Sequence, residues 1–290
     1  MSEILIEAIK DTVKDTATLV PTLLVTYLAM EWLESRTEGQ STALMSRVGK
    51  SGCILGAGIG LIPQCGFAAA SASLYSGGVI TLGTMLAVFL STSDEMLPIF
   101  LSSMVAPASI GKVLLAKFAI ACASGIAVDA ALRLSEYKLH HKHIHDLCEQ
   151  DNCGCDDEEG GIFRSAAVHT VKITIFIFIV SLVLSIIVAV LGKDAVASLA
   201  TSAPVIGTLV CGLIGLIPNC AASVVIAELY LEGMLTAGQM MAGLLVGAGV
   251  GILVLLRTNR HRGENIRIIG LLYAIGVAWG ILLDLIGVTF

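Results

Sequence analysis

Charge is what this chain has least of. Asp, Glu, Lys and Arg make up 14% of its 290 residues, against about 25% in an ordinary soluble domain. A water-soluble globule is thereby excluded, and a hydrophobic content of 56% with a mean hydropathy of +0.89 indicates a polytopic membrane protein. A basic excess is missing too. The net charge is −6, so no nucleic-acid partner is expected, because a phosphate backbone selects a basic surface. Eight cysteines are too few for a disulfide scaffold. No Walker sequence is present to hold ATP and no His-Glu-x-x-His to hold a hydrolytic zinc; the one histidine in an apolar run is His169. The cysteines have no neighbouring histidine base in sequence, which argues against a thiol nucleophile. The chain is therefore read as a non-enzyme that needs no cofactor. Its start also lacks the basic residues and unbroken apolar run of a secretory signal. Instead Glu3, Glu7, Asp11 and Asp15 alternate with Ile4, Leu5, Ala8, Ile9 and Val13, which predicts an amphipathic surface helix over 1–16.

What is present is a set of apolar runs, at about 17–33, 50–62, 64–76, 79–108, 111–133, 167–191, 203–217, 219–231, 235–256 and 267–288. A spanning helix needs about 20 residues, and the pieces flanking Pro63 and Pro218 are shorter than that. One offset of 155 residues superimposes the two proline regions, with 13 identities among the 28 positions of 60–87 and 215–242. Gly60-Leu61-Ile62-Pro63-x-Cys65 meets Gly215-Leu216-Ile217-Pro218-x-Cys220, and Leu74-Tyr75 meets Leu229-Tyr230. The same register carries 17–33 onto 172–188 and Gly125–Asp129 onto Gly280–Asp284. Leu, Ala and Gly match by chance in apolar segments, whereas Pro, Cys, Tyr and Asp in one register do not. The chain thus divides into an N-terminal helix (1–16), a first membrane repeat (17–133), a linker (134–166) and a second membrane repeat (167–290).

If each proline-centred pair is a re-entrant hairpin or two short spans, each half crosses the bilayer an odd number of times and the second half is inverted. Arg133, Lys138, Lys142, Arg164 and Lys172 flank the linker, and basic loops face the cytoplasm. Only the odd-crossing arrangement puts this linker inside together with the basic loops at Arg36–Lys50 and Arg257–Arg267. The expected fold is all-α, about ten helical segments in two inverted five-helix repeats, in a prokaryotic inner membrane with the linker in the cytoplasm. A homodimer is a further expectation.

Proline has no N–H and clashes with the preceding turn, so helices break at Pro63 and Pro218 and leave carbonyls unpaired. Inside a membrane such groups persist only where protein or a water-filled cavity satisfies them. Broken helices in inverted repeats are where secondary transporters bind substrate and coupling ions. Gln64 and Asn219 add amide oxygens at matched positions, and Cys65 and Cys220 add sulfur. The bland alternative is kinked helices with small buried cysteines. Ser91-Thr92-Ser93-Asp94-Glu95 interrupts another apolar run. Buried carboxylates are costly unless they face a cavity or partners, so Asp94 and Glu95, with Ser91 and Ser93, are candidate cation ligands or proton carriers. Secondary candidates are Glu228, whose counterpart is Ser73, and the matched pair Asp129 and Asp284. Arg133, four residues after Asp129, makes a salt-bridged helix end the expectation there. Lys117 is expected to snorkel to the interface. In the linker, His140, His141, His143, His145, Cys148, Cys153 and Cys155 form a compositional metal-binding tract suited to first-row divalent ions, in no standard zinc spacing.

With Leu61-Ile62-Pro63-Gln64-Cys65-Gly66-Phe67, then Leu74-Tyr75, Gly78, Ile80–Thr84 and Leu90–Glu95, the chain resembles the ten-helix heavy-metal exporter family, also labelled arsenic efflux proteins. That family is related to the arsenical permeases and in places described as manganese transporters. The resemblance extends over nearly the whole chain, including the His-rich loop. It implies export of a toxic metal or metalloid through two five-helix halves. Arsenicals favour several thiols and no carboxylate, whereas this set mixes two thiols with amides, carbonyls and acids. Oxygen with some sulfur suits a divalent transition cation. The expected function is proton-coupled export of a manganese-like divalent cation across the lipid bilayer. An arsenite or organoarsenical permease is the alternative, and a passive channel or an intramembrane enzyme the rival from another class.

Overall fold

The computed structural model describes residues 10, 12–14, 16–28, 41–93, 96–134, 162–191, 204–259 and 261–290, and all regular structure among them is helical. Helix α1 covers 16–28. It is followed by α2 (Ser41–Gly60), α3 (Cys65–Ser76), α4 (Leu82–Ser91), α5 (Met96–Ser102) and α6 (Pro107–Leu134). After the linker come α7 (Ile162–Leu191), α8 (Pro204–Gly215), α9 (Cys220–Leu231), α10 (Ala237–Val246), α11 (Val250–Thr258) and α12 (Arg262–Ile286). The N-terminal residues 1–9, the loop around Arg36 and the linker lie outside the described residues.

The duplication seen in the sequence recurs in the backbone. α3 and α9, and α4 and α10, begin and end at positions 155 apart. Thr81 and Thr236 cap the starts of α4 and α10, each accepting from the backbone N–H three residues on. α3 and α9 end alike, with Gly78 at φ 72 and Gly233 at φ 75. The next N–H returns to Leu74 and to Leu229, at 2.9 Å in both halves. This glycine-terminated cap needs a left-handed residue, which is why Leu-Tyr-x-x-Gly recurs.

Side-chain pairings fix the directions of the helices. Gly56 packs on Thr84 and Val88, and Gly60 on Val88 and Ser91, so α2 and α4 run the same way. The chain leaves Gly60 beside the end of α4 and re-enters at Thr81 beside its start. α3 therefore runs back, its 12 residues covering about 18 Å. Segments α2 and α3 form a helical hairpin with Ile62–Gln64 at its tip. α6 is antiparallel to α4, since Gly83 meets Gly125 and Asp129 while Lys117 meets Thr92. In the second half, Gly238 meets Gly280 and Asp284 while Gly276 meets Ala242 and Val246, so α10 and α12 are antiparallel. Thr208 beside Gly280 and Gly212 beside Val277 place α8 antiparallel to α12, so α8 and α9 form the matching hairpin.

The halves meet through α3 on α11 and α5 on α9, which is one pair of positions exchanged. Gly251 packs on Ala68, and Ser76 bonds Thr258 at 2.8 Å, so α3 and α11 are parallel. Trp279 Nε1 donates to Ser124 Oγ at 3.0 Å. These two residues are counterparts, 155 apart, and a residue touching its own counterpart lies at the axis of an isologous contact.

Every residue of α4 and α10 is buried. The outer helices carry the apolar exposure: Val171, Ile175, Ile179 and Val183 form an exposed stripe along α7, a face that fits lipid and not water. Five stretches are long and apolar enough to cross a membrane among the described residues: Leu82–Ser102, Pro107–Leu134, Ala166–Val183, Ala237–Thr258 and Arg262–Ile286. The first and fourth contain the α4–α5 and α10–α11 breaks.

Candidate ion site at the helix breaks

The proline turns are built identically. Ile-Pro forces an extended residue before the ring, and Gln64 N–H bonds Ile62 O at 2.7 Å, as Asn219 N–H bonds Ile217 O at 2.7 Å. The carbonyls of Gln64 and Asn219 accept from the residue three further on at 3.2 Å in both halves, starting α3 and α9. Their surroundings differ. Gln64 Nε2 donates to Thr22 Oγ1 at 2.7 Å on α1, whereas the matching position on α7 is Ile177, which is buried. Cys65 and Asn219 are each 8% exposed, while Ile62 and Pro63 are exposed at their tip. Cys220 opens α9, and its side chain lies outside the described residues.

Each tip lies beside a second break in its own half. Gly60 touches Ser91 at the end of α4, and Gly215 touches Gly243 in the last turn of α10. At the first of these breaks the hydroxyls turn back on their own helix. Ser91 donates to Ala87 O at 2.8 Å, Thr92 to Val88 O at 2.8 Å and Ser93 to Ser91 O at 3.0 Å. All three residues are buried. Asp94 and Glu95 lie outside the described residues. The second break, at Gly247–Gly249, has Gly249 at φ 50 and ψ −134.

The two breaks are joined by Lys117, and this corrects the snorkelling expectation. The residue is 0% exposed. Its Nζ donates to Thr92 O, just past the end of α4, and to Leu244 O, in the last turn of α10, at 3.2 Å. The last four carbonyls of a helix have no partner within it and carry its negative pole. Lys117 thus places an amine donor between the carbonyl ends of two helices that are counterparts. A lone Lys in an apolar run reads alike whether it snorkels or is buried.

Asp129 and Asp284 also depart from expectation. Asp129 Oδ1 accepts from Gly83 N–H at 2.8 Å and Oδ2 from Thr81 Oγ1 at 2.7 Å, with Cys53 Sγ at 3.6 Å. Asp284 repeats this with Gly238 N–H at 2.8 Å and Thr236 Oγ1 at 2.9 Å. Both carboxylates cap the start of the neighbouring helix, where the positive helix pole favours an anion, and the salt-bridged helix end expected with Arg133 gives way to this cap. A cleft of about 270 Å³ opens beside Asp129, lined also by Cys53, Ile126 and Arg133. Glu228 is half-buried on α9. Among the described residues no three His, Cys, Asp or Glu side chains gather into a metal-binding group. The linker residues His140, His141, His143, His145, Cys148, Cys153 and Cys155 lie outside that set.

Fold and sequence together define an all-helical, polytopic membrane protein with broken spans. The chain belongs to the family described as "Putative, 10TM heavy-metal exporter", whose match covers residues 1–193. That match takes in the first half, the linker and the first helix of the second half, less than the nearly whole-chain resemblance expected. No curated protein and no solved structure gives a significant match.

Proposed function

We propose that the chain is a secondary transporter that exports a divalent transition-metal cation of the manganese type, in exchange for protons, through two inverted repeats. The observation that carries this reading is the meeting of two broken spans in the buried core, with a helical hairpin tip beside each. Gln64, Cys65, Asn219 and Cys220 at the tips, and Ser91, Ser93, Asp94 and Glu95 at the acidic break, supply the oxygen and sulfur of the ion path. Glu228 stands near the second tip as a secondary candidate.

The helix directions support the inverted arrangement. α3 runs against α4 but with α11, and α11 runs with α10, so α10 opposes its counterpart α4. Contacts also bring Arg133, at the end of α6, and Arg257 and Arg262, around the α11–α12 turn, to one end of the molecule, since Asp129 bonds Thr81 while Tyr75 bonds Glu264. Gathered basic residues favour the cytoplasmic side, which supports a cytoplasmic linker that captures ions before export and an inner-membrane location.

The test is metal flux in proteoliposomes across a panel of manganese, zinc, cobalt and arsenite, with and without a proton gradient. Gradient-dependent flux of a divalent cation is expected. Protection of expressing cells against arsenicals alone would replace the cation reading with the permease reading, and gradient-independent flux at channel rates would replace the exchanger.

A further inference from the structure

Lys117 has no role in the transport path proposed above, yet it occupies the point where both broken spans end. Its ammonium meets Thr92 O and Leu244 O, the first belonging to one half and the second to the other. The counterpart of Lys117 in the second half is Leu272, which is fully buried, so one ammonium serves both breaks. Unwound carbonyls and the negative ends of half-helices are the groups that transporters offer to cations. The donors around Lys117 Nζ are therefore those of a cation site, and the cation present is covalently attached to α6.

We propose that the carbonyl ends of α4 and α10 form a binding site for the transported divalent cation, and that the Lys117 ammonium holds this site when no metal is bound. The inference rests on the transport reading and deepens it by naming the competitor. A divalent ion and an ammonium repel each other at coordination distance in a poorly screened core. They occupy the same carbonyls in turn, so metal entry frees the lysine from both breaks at once. An ammonium that bridges the two halves only in the metal-free state keeps the breaks closed to other ions until a cation able to displace it arrives.

The experiment uses the purified full-length protein with Mn²⁺ as probe. Binding is measured by calorimetry in detergent and flux in proteoliposomes. Lys117→Met removes the competitor and keeps a long side chain, so Mn²⁺ is expected to bind at least about tenfold more tightly. Lys117→Arg retains a cation and is expected to leave affinity near that of the unaltered protein. Unchanged or weaker binding by Lys117→Met overturns the proposal. A second measurement needs no variant. In the unaltered protein, acylation of Lys117 by a membrane-permeant amine reagent, read by peptide mapping, is expected to rise when Mn²⁺ is added. Acylation that stays constant or falls overturns the proposal even if Lys117→Met does not fold. Protein that moves Mn²⁺ while failing these tests removes the carbonyl site alone; protein that neither binds nor moves Mn²⁺, Zn²⁺ or Co²⁺ removes the transport reading with it.

Discussion

Asp129 and Asp284 look alike in sequence and do the same work in the structure, binding the N–H of Gly83 or Gly238 and the hydroxyl of Thr81 or Thr236. Removing either carboxylate leaves a helix start without its acceptor, at a cost of about 1–3 kcal/mol. Asp129→Ala and Asp284→Ala should therefore lower the unfolding midpoint in detergent by similar amounts, with metal flux retained below that midpoint. Unequal losses, or loss of flux without loss of stability, would return these residues to the ion path. The ion-site candidates behave differently. Cys65→Ala and Cys220→Ala should each weaken flux at unchanged expression, and Asp94→Asn should abolish it; an Asp94→Asn protein with full flux would take the acidic break out of the mechanism. The aspartate pair was legible as a pair but not as caps, because each partner lies 46 or 48 residues away and only packing brings it near. Lys117 was illegible for the same reason. Its partners are backbone carbonyls, and these carry no sequence signature.

At the scale of the element, the proline hairpins were readable because Pro and Gly impose a local geometry, and Cys and Tyr beside them fix the register in which it recurs. The break between α10 and α11 was not, since Gly247-Ala248-Gly249 is apolar and sits inside one continuous hydrophobic run. Two glycines, one between α9 and α10 and one in the first turn of α10, separate what backbone and packing contribute. Gly233 has φ 75 with open space where a Cβ would stand, whereas a Cβ on Gly238 would lie 2.2 Å from Gly280 O. Gly233→Ala is then a purely conformational change of about 1 kcal/mol. Gly238→Ala must push α10 off α12 and disturb the Asp284 cap, costing ~3 kcal/mol or more. Thermal unfolding in detergent should rank Gly238→Ala well below Gly233→Ala. Equal effects would mean that the helix contact is looser than the structure has it.

For the whole molecule, the question is which way the second half faces. α6 ends at Arg133, at the end of the molecule that holds Asp129, Thr81 and Gly83. α12 starts at that same end, since Tyr75 bonds Glu264, and its 25 residues carry the chain about 37 Å away from it. The last residue of α6 and the last residue of α12 therefore lie at opposite ends. In parallel repeats, related by an axis along the membrane normal, the matched helices α6 and α12 would finish on one side. Reporter fusions read this directly. On the proposed topology, with the basic residues around Arg133 and Arg257 at the cytoplasmic face, alkaline phosphatase joined after Phe290 should be active and green fluorescent protein at the same place dark, while green fluorescent protein inserted within the linker should fluoresce. Fluorescence at both positions would place Phe290 and the linker on one side. The two halves would then be parallel, which the opposed directions of α4 and α10 do not allow.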